Sequence, residues 1–148
     1  MILYLDTSAL VKLYVREAGS AQVRREANAA EAVATSVVAY AEARAAFARL
    51  LRERPASRNR HRQRVDQLDR DWGRYAAVEL TPAVAHRSGE IAELHRLRGF
   101  NAIHLASALW LQSAYSGDLV FLAFDRRLSR AAAAGGLRIP RGISQERR

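Results

Sequence analysis

The stretch Met1-Ile2-Leu3-Tyr4-Leu5-Asp6-Thr7-Ser8-Ala9-Leu10 opens the chain and decides how the rest of the sequence is interpreted. Its residues from Ile2 to Leu5 are apolar or aromatic and favour a β-strand, and helix-forming sequence follows the acid at once. A parallel α/β sheet binds its ligands beyond the carboxyl ends of its strands. Asp6 is therefore predicted to stand at a ligand-binding edge.

The composition is that of a small globular protein. The chain has 148 residues, of which 49% are hydrophobic, and this suffices for one buried core. We predict one domain over residues 1–140 and a polar C-terminal tail over residues 141–148. No apolar run approaches the roughly 20 residues of a membrane span, and no secretion signal opens the sequence. We therefore expect a cytoplasmic protein without a membrane partner.

Charge and cysteine content narrow the chemistry. The sequence has no cysteine, so disulfides and thiolate ligands are excluded and any metal must be held by oxygen or imidazole. Lys plus Arg number 24 against 15 Asp plus Glu, a net charge of +9 that is carried almost entirely by arginine. Arginine forms forked contacts with phosphate, which suggests a nucleic-acid partner. An arginine-rich solvated surface explains the same charge.

Predicted strands alternate with predicted helices along the chain. Besides the first strand, the patterning predicts strands at residues 32–35, 76–80, 119–124 and, at an edge, 137–139. It predicts helices at residues 8–15, 21–30, 37–52, 81–98, 101–115 and 126–134, with a further helix ending near residue 74. Such alternation indicates a parallel sheet with helices on both faces.

The segment from residue 49 to residue 70 contains eight arginines. We interpret it as part of a surface helix whose thin apolar stripe is Val65, Leu68 and Trp72. This helix would contact RNA or a protein partner, although a solvated face produces the same pattern.

Two acids follow apolar strands in the same way. If the strands before Asp6 and Asp125 are neighbours in the sheet, their carboxylates converge and repel each other unless a cation lies between them. Mg²⁺ and Mn²⁺ prefer such oxygen ligands, bind phosphate oxygens and activate water for attack on a phosphodiester. Glu42, in the helix after the second strand, and Asn101, at the start of a later helix, are placed to reach the same edge.

Each of these residues also has a simpler explanation. Asp6, Asn101 and Asp125 are good N-cap or first-turn residues of helices. Glu42, taken alone, fits an exposed helical position. It is the combination of the residues that favours a cation site.

Three hydroxyl residues and one histidine lie in the same segments. Thr7, Ser8 and Ser36 are predicted to orient Asp6 or to touch phosphate, and each also fits a helix cap. His104 lies three residues after Asn101 on the same helical side. It either contacts substrate or is a packed histidine bonded to the backbone, and the second interpretation is favoured.

Four segments together resemble the ordered motifs of the PIN-domain ribonucleases, most closely the VapC toxins of bacterial toxin–antitoxin pairs. They are DTSALVK at residues 6–12, SVVAYAE at 36–42, GFNAIHLA at 99–106 and FDRRL at 124–128. The likeness runs from about residue 1 to residue 140. It implies a three-layer α/β/α fold, with a central parallel sheet of four to five strands, for a PIN-like nuclease domain over residues 1–140.

The resemblance also implies a function. It implies an Mg²⁺- or Mn²⁺-dependent endoribonuclease that forms a homodimer and is inhibited by a VapB-type antitoxin, whose C-terminal segment occupies the groove beside the active site. The implied catalytic and metal-binding residues match Asp6, Glu42 and Asp125. Asn101 stands where the family usually has aspartate.

Asn101 changes the expected chemistry. An amide oxygen can coordinate a metal, but it brings no negative charge and cannot act as a base. We therefore expect lower cation affinity and attenuated catalysis, whether the asparagine is natural or introduced. The expected site is Asp6, Glu42, Asn101 and Asp125, with Thr7, Ser8 and Ser36 orienting the substrate.

Two other functions compete with this interpretation. The missing acid and the basic surface also fit a non-catalytic PIN-like protein that binds RNA or an antitoxin. An aspartate-nucleophile phosphatase is also an α/β protein with an acid after its first strand. Such enzymes usually carry a second acid two residues later, where this chain has Ser8, and this disfavours the phosphatase.

Overall fold

The computed structural model describes residues 1–143, and its centre is a parallel sheet of four strands. All three strand pairings are parallel. The strands lie in the order β3-β2-β1-β4, and their bounds are β1 Ile2–Leu5, β2 Ala32–Ser36, β3 Ala76–Val78 and β4 Leu119–Leu122. The predicted parallel α/β architecture is confirmed, with four strands.

Seven α-helices connect and cover the strands within the described part of the chain. Their bounds are α1 Thr7–Val11, α2 Ser20–Ala29, α3 Ala39–Glu53, α4 Arg58–Trp72, α5 Pro82–His95, α6 Gly99–Ala114 and α7 Arg126–Ala134. A short 3-10 helix, Pro55–Ser57, separates α3 from α4, as expected where proline removes a helical hydrogen bond. Over residues 1–143, every helix is too short or too polar to cross a bilayer.

The sheet has a separate core on each face. Successive side chains of a strand point to opposite faces, so Tyr4 of β1 and Phe121 of β4 join the core formed with α5, α6 and α7. Leu3 and Leu5 join the second core, which α1, α2, α3 and α4 complete. This places the helices in two layers around the sheet and confirms the three-layer α/β/α fold.

The central position of β1 decides where the acids meet. Leu5, its last residue, is in register with Leu122, the last residue of β4. The backbone N–H of Asp6 then donates to the carbonyl of Leu122 at 3.2 Å. The strands before Asp6 and Asp125 are therefore neighbours in the sheet, which is the condition under which their carboxylates were expected to converge.

Several element boundaries differ from the predictions. Helix α1 ends at Val11 rather than at residue 15, because the next turns close with tighter bonds, such as Tyr14 N–H to the Val11 carbonyl. Strand β4 ends at Leu122, and the predicted edge strand is reduced to one bridge between Val120 and Arg138. The predicted break between α5 and α6 is present, but it lies at residues 96–98, and Gly99 is the first residue of α6.

The C-terminal prediction is only partly covered. Residues 144–148 of the predicted tail lie outside the described residues. The domain boundary near residue 140 stays a prediction.

Candidate active site

A cavity of about 350 Å³ lies at the carboxyl edge of the sheet. It contains all the predicted site residues except Ser36, and its polar lining includes Asp6, Thr7, Ser8, Lys12, Glu17, Glu42, Arg49, Asn101, His104 and Asp125. Ser36 is fully buried as the last residue of β2. Its prediction as a helix cap was wrong, because α3 begins at Ala39 with Val38 as its N-cap.

Asp6 is both a helix cap and a buried acid of the cavity. Only 3% of the residue is exposed, and its Oδ1 accepts the backbone N–H of Ala9 at 2.9 Å. The Ser8 hydroxyl lies 2.8 and 2.9 Å from the two carboxylate oxygens and donates to them. Burial raises the pKa of Asp6, and this effect exceeds the lowering by His104, Ala9 and Ser8. A cation at the cavity would stabilise this carboxylate.

Glu42 lies in the first turn of α3 and is held by two neighbours. The Thr7 hydroxyl donates to its Oε1 at 2.6 Å, and His104 Nε2 lies 3.1 Å from the same oxygen. Burial acts to raise the pKa of Glu42, but the hydrogen bonds from His104 and Thr7 outweigh it, and the pKa is lowered overall. Glu42 is therefore an ionised, anchored acid of the cavity, not the exposed helical residue of the simpler explanation.

His104 is a packed histidine, as predicted, but its hydrogen-bond partners are side chains and not the backbone. Its ring is 1% exposed, with Nδ1 at 3.1 Å from the Tyr4 hydroxyl and Nε2 at 2.9 Å from the Thr7 hydroxyl. Sequence reasoning did not include Tyr4 in the site. The signal that could have found it is the strand period of two, which puts Tyr4 on the same face as Asp6.

Asp125 and Asn101 stand between the acidic cavity and a basic one. Asp125 is the N-cap of α7, and its Oδ1 accepts the Leu128 N–H at 2.9 Å. Asn101 lies in the first turn of α6. Both also line a second cavity of about 380 Å³, whose other lining residues are Arg96, Leu97, Arg98, Arg126, Arg127 and Arg130.

A strained backbone position shapes the basic cavity. Arg96 caps α5 in the left-handed conformation with φ of 52°, which is uncommon for a residue other than glycine. The Arg127 guanidinium donates to the Arg96 carbonyl at 3.0 Å and ties α7 to this turn. The short link between α5 and α6 therefore carries Arg96 and Arg98 to the basic cavity, which shares Asn101 and Asp125 with the acidic one.

The arginine-rich segment lies mostly away from the acids. It forms the end of α3 and most of α4, and Val65, Leu68 and Trp72 pack toward the core as predicted. Among residues 1–143, Arg49 is the arginine of this segment that lines the acidic cavity. The arginines that line the basic cavity with Asn101 and Asp125 come from α7 and from the turn before α6, which sequence reasoning did not single out.

The donor set fits a hydrated divalent cation. Within residues 1–143, no group of three or more acid or histidine side chains is close enough to hold a metal by itself. Mg²⁺, however, usually keeps several waters and is bound by one or two carboxylates together with substrate phosphates. The Asp6 and Asp125 carboxylates at one cavity satisfy that smaller requirement, and Asn101 and Glu42 add further oxygens.

The sequence also defines the class of the protein. Residues 3–134 match the PIN domain family. The match covers most of the chain, and the chain therefore belongs to the PIN-domain family.

Two close relatives refine that membership. Ribonuclease VapC45 of Mycobacterium tuberculosis (strain CDC 1551 / Oshkosh) is 38% identical over 144 residues, which cover 93% of this chain and 94% of the relative. Ribonuclease VapC49 of Mycobacterium tuberculosis (strain ATCC 25618 / H37Rv) matches with the same identity and coverage. Within the PIN-domain family, the chain groups with the VapC ribonucleases.

Solved structures share the fold at low sequence identity. A toxin-antitoxin complex from Klebsiella pneumoniae matches with a TM-score of 0.59 and 15% identity, covering 80% of this chain and 83% of that chain. VapBC2 from Rickettsia felis, bound to a DNA fragment from their promoter, matches with a TM-score of 0.63 and 14% identity, covering 95% of this chain and 98% of that chain. These likenesses support the α/β/α fold independently of the sequence match.

Proposed function

We propose that this chain is a metal-dependent endoribonuclease and the toxin of a toxin–antitoxin pair. The observation that carries the proposal is the single cavity into which the sheet and helices bring Asp6, Glu42 and Asp125. The 38% identity of this chain to two VapC ribonucleases supports the same reaction, hydrolysis of an RNA phosphodiester.

The proposed cofactor is Mg²⁺ or Mn²⁺. Asp6 and Asp125 would hold it, with Asn101 as a neutral oxygen ligand and Glu42 as an additional negative charge kept ionised by Thr7 and His104. When bound, such an ion would polarise the scissile phosphate and activate water for attack on it. Ser8 holds the Asp6 carboxylate in place, and Thr7 does the same for Glu42.

The proposed substrate path runs from the basic cavity to the acidic one. Asn101 and Asp125 line both cavities, so an RNA backbone that lies along the arginines passes the carboxylates. Arg98, Arg127 and Arg130 supply the positive charge for the phosphates, and that contribution weakens as salt is raised. With RNA as its substrate, the proposed site of action is the cytoplasm.

Asn101 is proposed to attenuate the activity of this chain. A carboxylate at this position would add a negative charge where the two cavities meet, and the amide adds none. Restoring aspartate should therefore increase cation affinity and the rate of RNA cleavage.

The proposed partners are a VapB-type antitoxin and a second copy of the chain. The structural likeness to solved toxin–antitoxin complexes supports the antitoxin partner. Its C-terminal segment would occupy the groove beside the acidic cavity and exclude RNA. The homodimer is proposed from the resemblance of the sequence motifs to those of the VapC toxins, and it is tested by measuring the mass of the purified protein in solution.

The experiment compares this chain with Asn101→Asp on a structured RNA, with Mn²⁺ and with a chelator. We expect Mn²⁺-dependent cleavage that is stronger in Asn101→Asp and is abolished by the chelator or by Asp6→Asn. The nuclease proposal fails if Asn101→Asp neither binds Mn²⁺ in calorimetry nor cuts RNA.

A non-catalytic RNA- or antitoxin-binding protein is the second candidate. Its specific support is the amide at Asn101, together with the lack, within residues 1–143, of a preformed group of three metal-binding acids or histidines. Retained RNA binding without Mn²⁺ uptake, in both the chain and Asn101→Asp, would favour it.

A further inference from the structure

A buried polar pair stands directly behind the acidic cavity. His104 of α6 is 1% exposed and Tyr4 of β1 is fully buried, and the Tyr4 hydroxyl lies 3.1 Å from His104 Nδ1. The Tyr4 ring is held in turn by stacking on Phe121, with centroids 5.4 Å apart and an interplanar angle of 10°. The imidazole is therefore fixed from its inner side.

The outer side of the imidazole faces residues that line the cavity. His104 Nε2 is 3.1 Å from Glu42 Oε1 and 2.9 Å from Thr7 Oγ1. An ionised carboxylate only accepts hydrogen bonds, and the Thr7 hydroxyl spends its single proton on the same Glu42 oxygen at 2.6 Å. Nε2 must then carry a proton to donate to these two oxygens.

We propose that His104, anchored by Tyr4, is a positioning residue that fixes the Glu42 carboxylate at the acidic cavity. The proposal rests on the nuclease function proposed above and adds a residue to it. His104 and Thr7 both act on Oε1, so they set the orientation of the carboxylate and of its second oxygen, Oε2.

The physical reason for such a device is entropy. A glutamate side chain in the first turn of a helix has several rotamers, and fixing one of them costs conformational entropy. A site that has already fixed the rotamer meets this cost on folding and not when the cation and RNA arrive. Groups that hold ligand side chains in this way typically change metal affinity or activity by about 10–100-fold when mutated.

A pair of substitutions separates positioning from packing. His104→Gln places an amide N–H as many bonds from Cα as Nε2, so it can still donate to Glu42. His104→Asn reaches only as far as Nδ1, so it can still meet Tyr4 but not Glu42. In the Asn101→Asp background, we expect the Asn variant to lose about 10–100-fold in Mn²⁺ affinity and kcat, and the Gln variant to lose much less. Equal losses in two folded variants, or no loss in either, would overturn the proposal.

A second pair keeps the test valid if substitutions of His104 prevent folding. Tyr4→Phe removes one hydroxyl and keeps the ring that stacks on Phe121. Tyr14→Phe removes the matched hydroxyl of another buried tyrosine, which contacts Asp71 at 3.0 Å and also the Tyr75 hydroxyl. We expect Tyr4→Phe to lower Mn²⁺ affinity by up to about tenfold and Tyr14→Phe to leave it unchanged. Equal behaviour of the two variants would contradict the proposal.

The imidazole can also be observed without any activity. Ring ¹⁵N shifts in NMR spectra report which nitrogen carries a proton, and we expect His104 Nε2 to be protonated in the unmodified chain. A ring without a proton on Nε2 overturns the positioning proposal. A protonated Nε2 in a protein whose Asn101→Asp form neither binds Mn²⁺ nor cuts RNA leaves the geometry in place and refutes the nuclease function, so the two failures are distinguishable.

Discussion

Thr7 Oγ1 donates a hydrogen bond of 2.6 Å to Glu42 Oε1, and this bond joins the first residue of α1 to the first turn of α3 across 35 positions of sequence. The residue that follows Asp6 therefore holds the acid of the second motif. The position of the Glu42 carboxylate is coupled to α1, the helix that Asp6 caps.

Replacing Thr7 by valine removes this hydroxyl while keeping the shape of the side chain. We expect Thr7→Val to raise the pKa of Glu42 toward its ordinary value and to lower kcat by about tenfold. Steady-state RNA cleavage in the Asn101→Asp background measures the effect. Thr81→Val is the control, since it deletes the N-cap hydroxyl of α5 and should cost about 1 kcal/mol of stability with cleavage unchanged. An unaltered kcat in Thr7→Val would argue against a role for the Thr7–Glu42 hydrogen bond in RNA cleavage.

Asp6→Asn should stabilise the metal-free fold at neutral pH. Burial raises the folded-state pKa of Asp6 above its unfolded value, so ionisation at neutral pH costs stability that the amide does not lose. Asparagine is an equally good N-cap, so the change isolates the charge. We expect a higher Tm for the variant at pH 7, and no difference well below pH of about 4. Mn²⁺ should raise the Tm of the parent only, and a lower Tm for the metal-free variant would contradict this account.

Glu42→Gln should lower the stability of the metal-free fold at neutral pH, which is the opposite of the effect expected for Asp6→Asn. The folded-state pKa of Glu42 is lowered, so its ionised form contributes stability above the unfolded pKa of about 4.3, and this contribution is lost as pH falls through the lower folded value. The variant should therefore be less stable than the parent at pH 7, with the two curves converging in acid. Urea unfolding at several pH values measures this. A difference in unfolding free energy between parent and variant that stays the same at all pH values would refute a lowered pKa for Glu42.

Two substitutions of Asp125 distinguish its role as a helix cap from its proposed role as a metal ligand. Asp125→Asn keeps an oxygen that accepts from the Leu128 N–H, whereas Asp125→Ala removes the cap and should cost about 1 kcal/mol of stability. Both variants remove the charge and should lose Mn²⁺ affinity and cleavage to a similar extent. Calorimetry and thermal melts distinguish the two effects. Full Mn²⁺ affinity in Asp125→Asn would limit this residue to a capping role.

The basic cavity should contribute through salt-dependent binding. Arg130→Gln removes one guanidinium from its lining and should raise KM for RNA and reduce the slope of log affinity against log salt by about one. Arg138→Gln removes the same charge beside Asp118, which precedes β4 at the opposite edge of the sheet, and should change neither quantity. The RNA path through the basic cavity would be refuted by equal effects of the two substitutions.

Local patterns were sufficient for most of the fold. Apolar runs with strand propensity and the positions of turn residues predicted β1, β2 and β4 within a few residues, and α7 was predicted with its observed bounds. Boundaries failed where backbone geometry depends on neighbours, as at α1 and at the start of α6, because the end of a short helix is set by which carbonyls find partners.

The sequence by itself determined the class of the protein and pointed to the acids of the candidate site, because each acid follows a local signal: a strand end before Asp6 and Asp125, and a motif around Glu42. Only the tertiary structure decided how they meet. The order β2-β1-β4 puts the two strand ends side by side, and the packing of α6 against the sheet brings His104 to Tyr4, Thr7 and Glu42. These contacts join residues up to 100 positions apart, and no local periodicity encodes such distances.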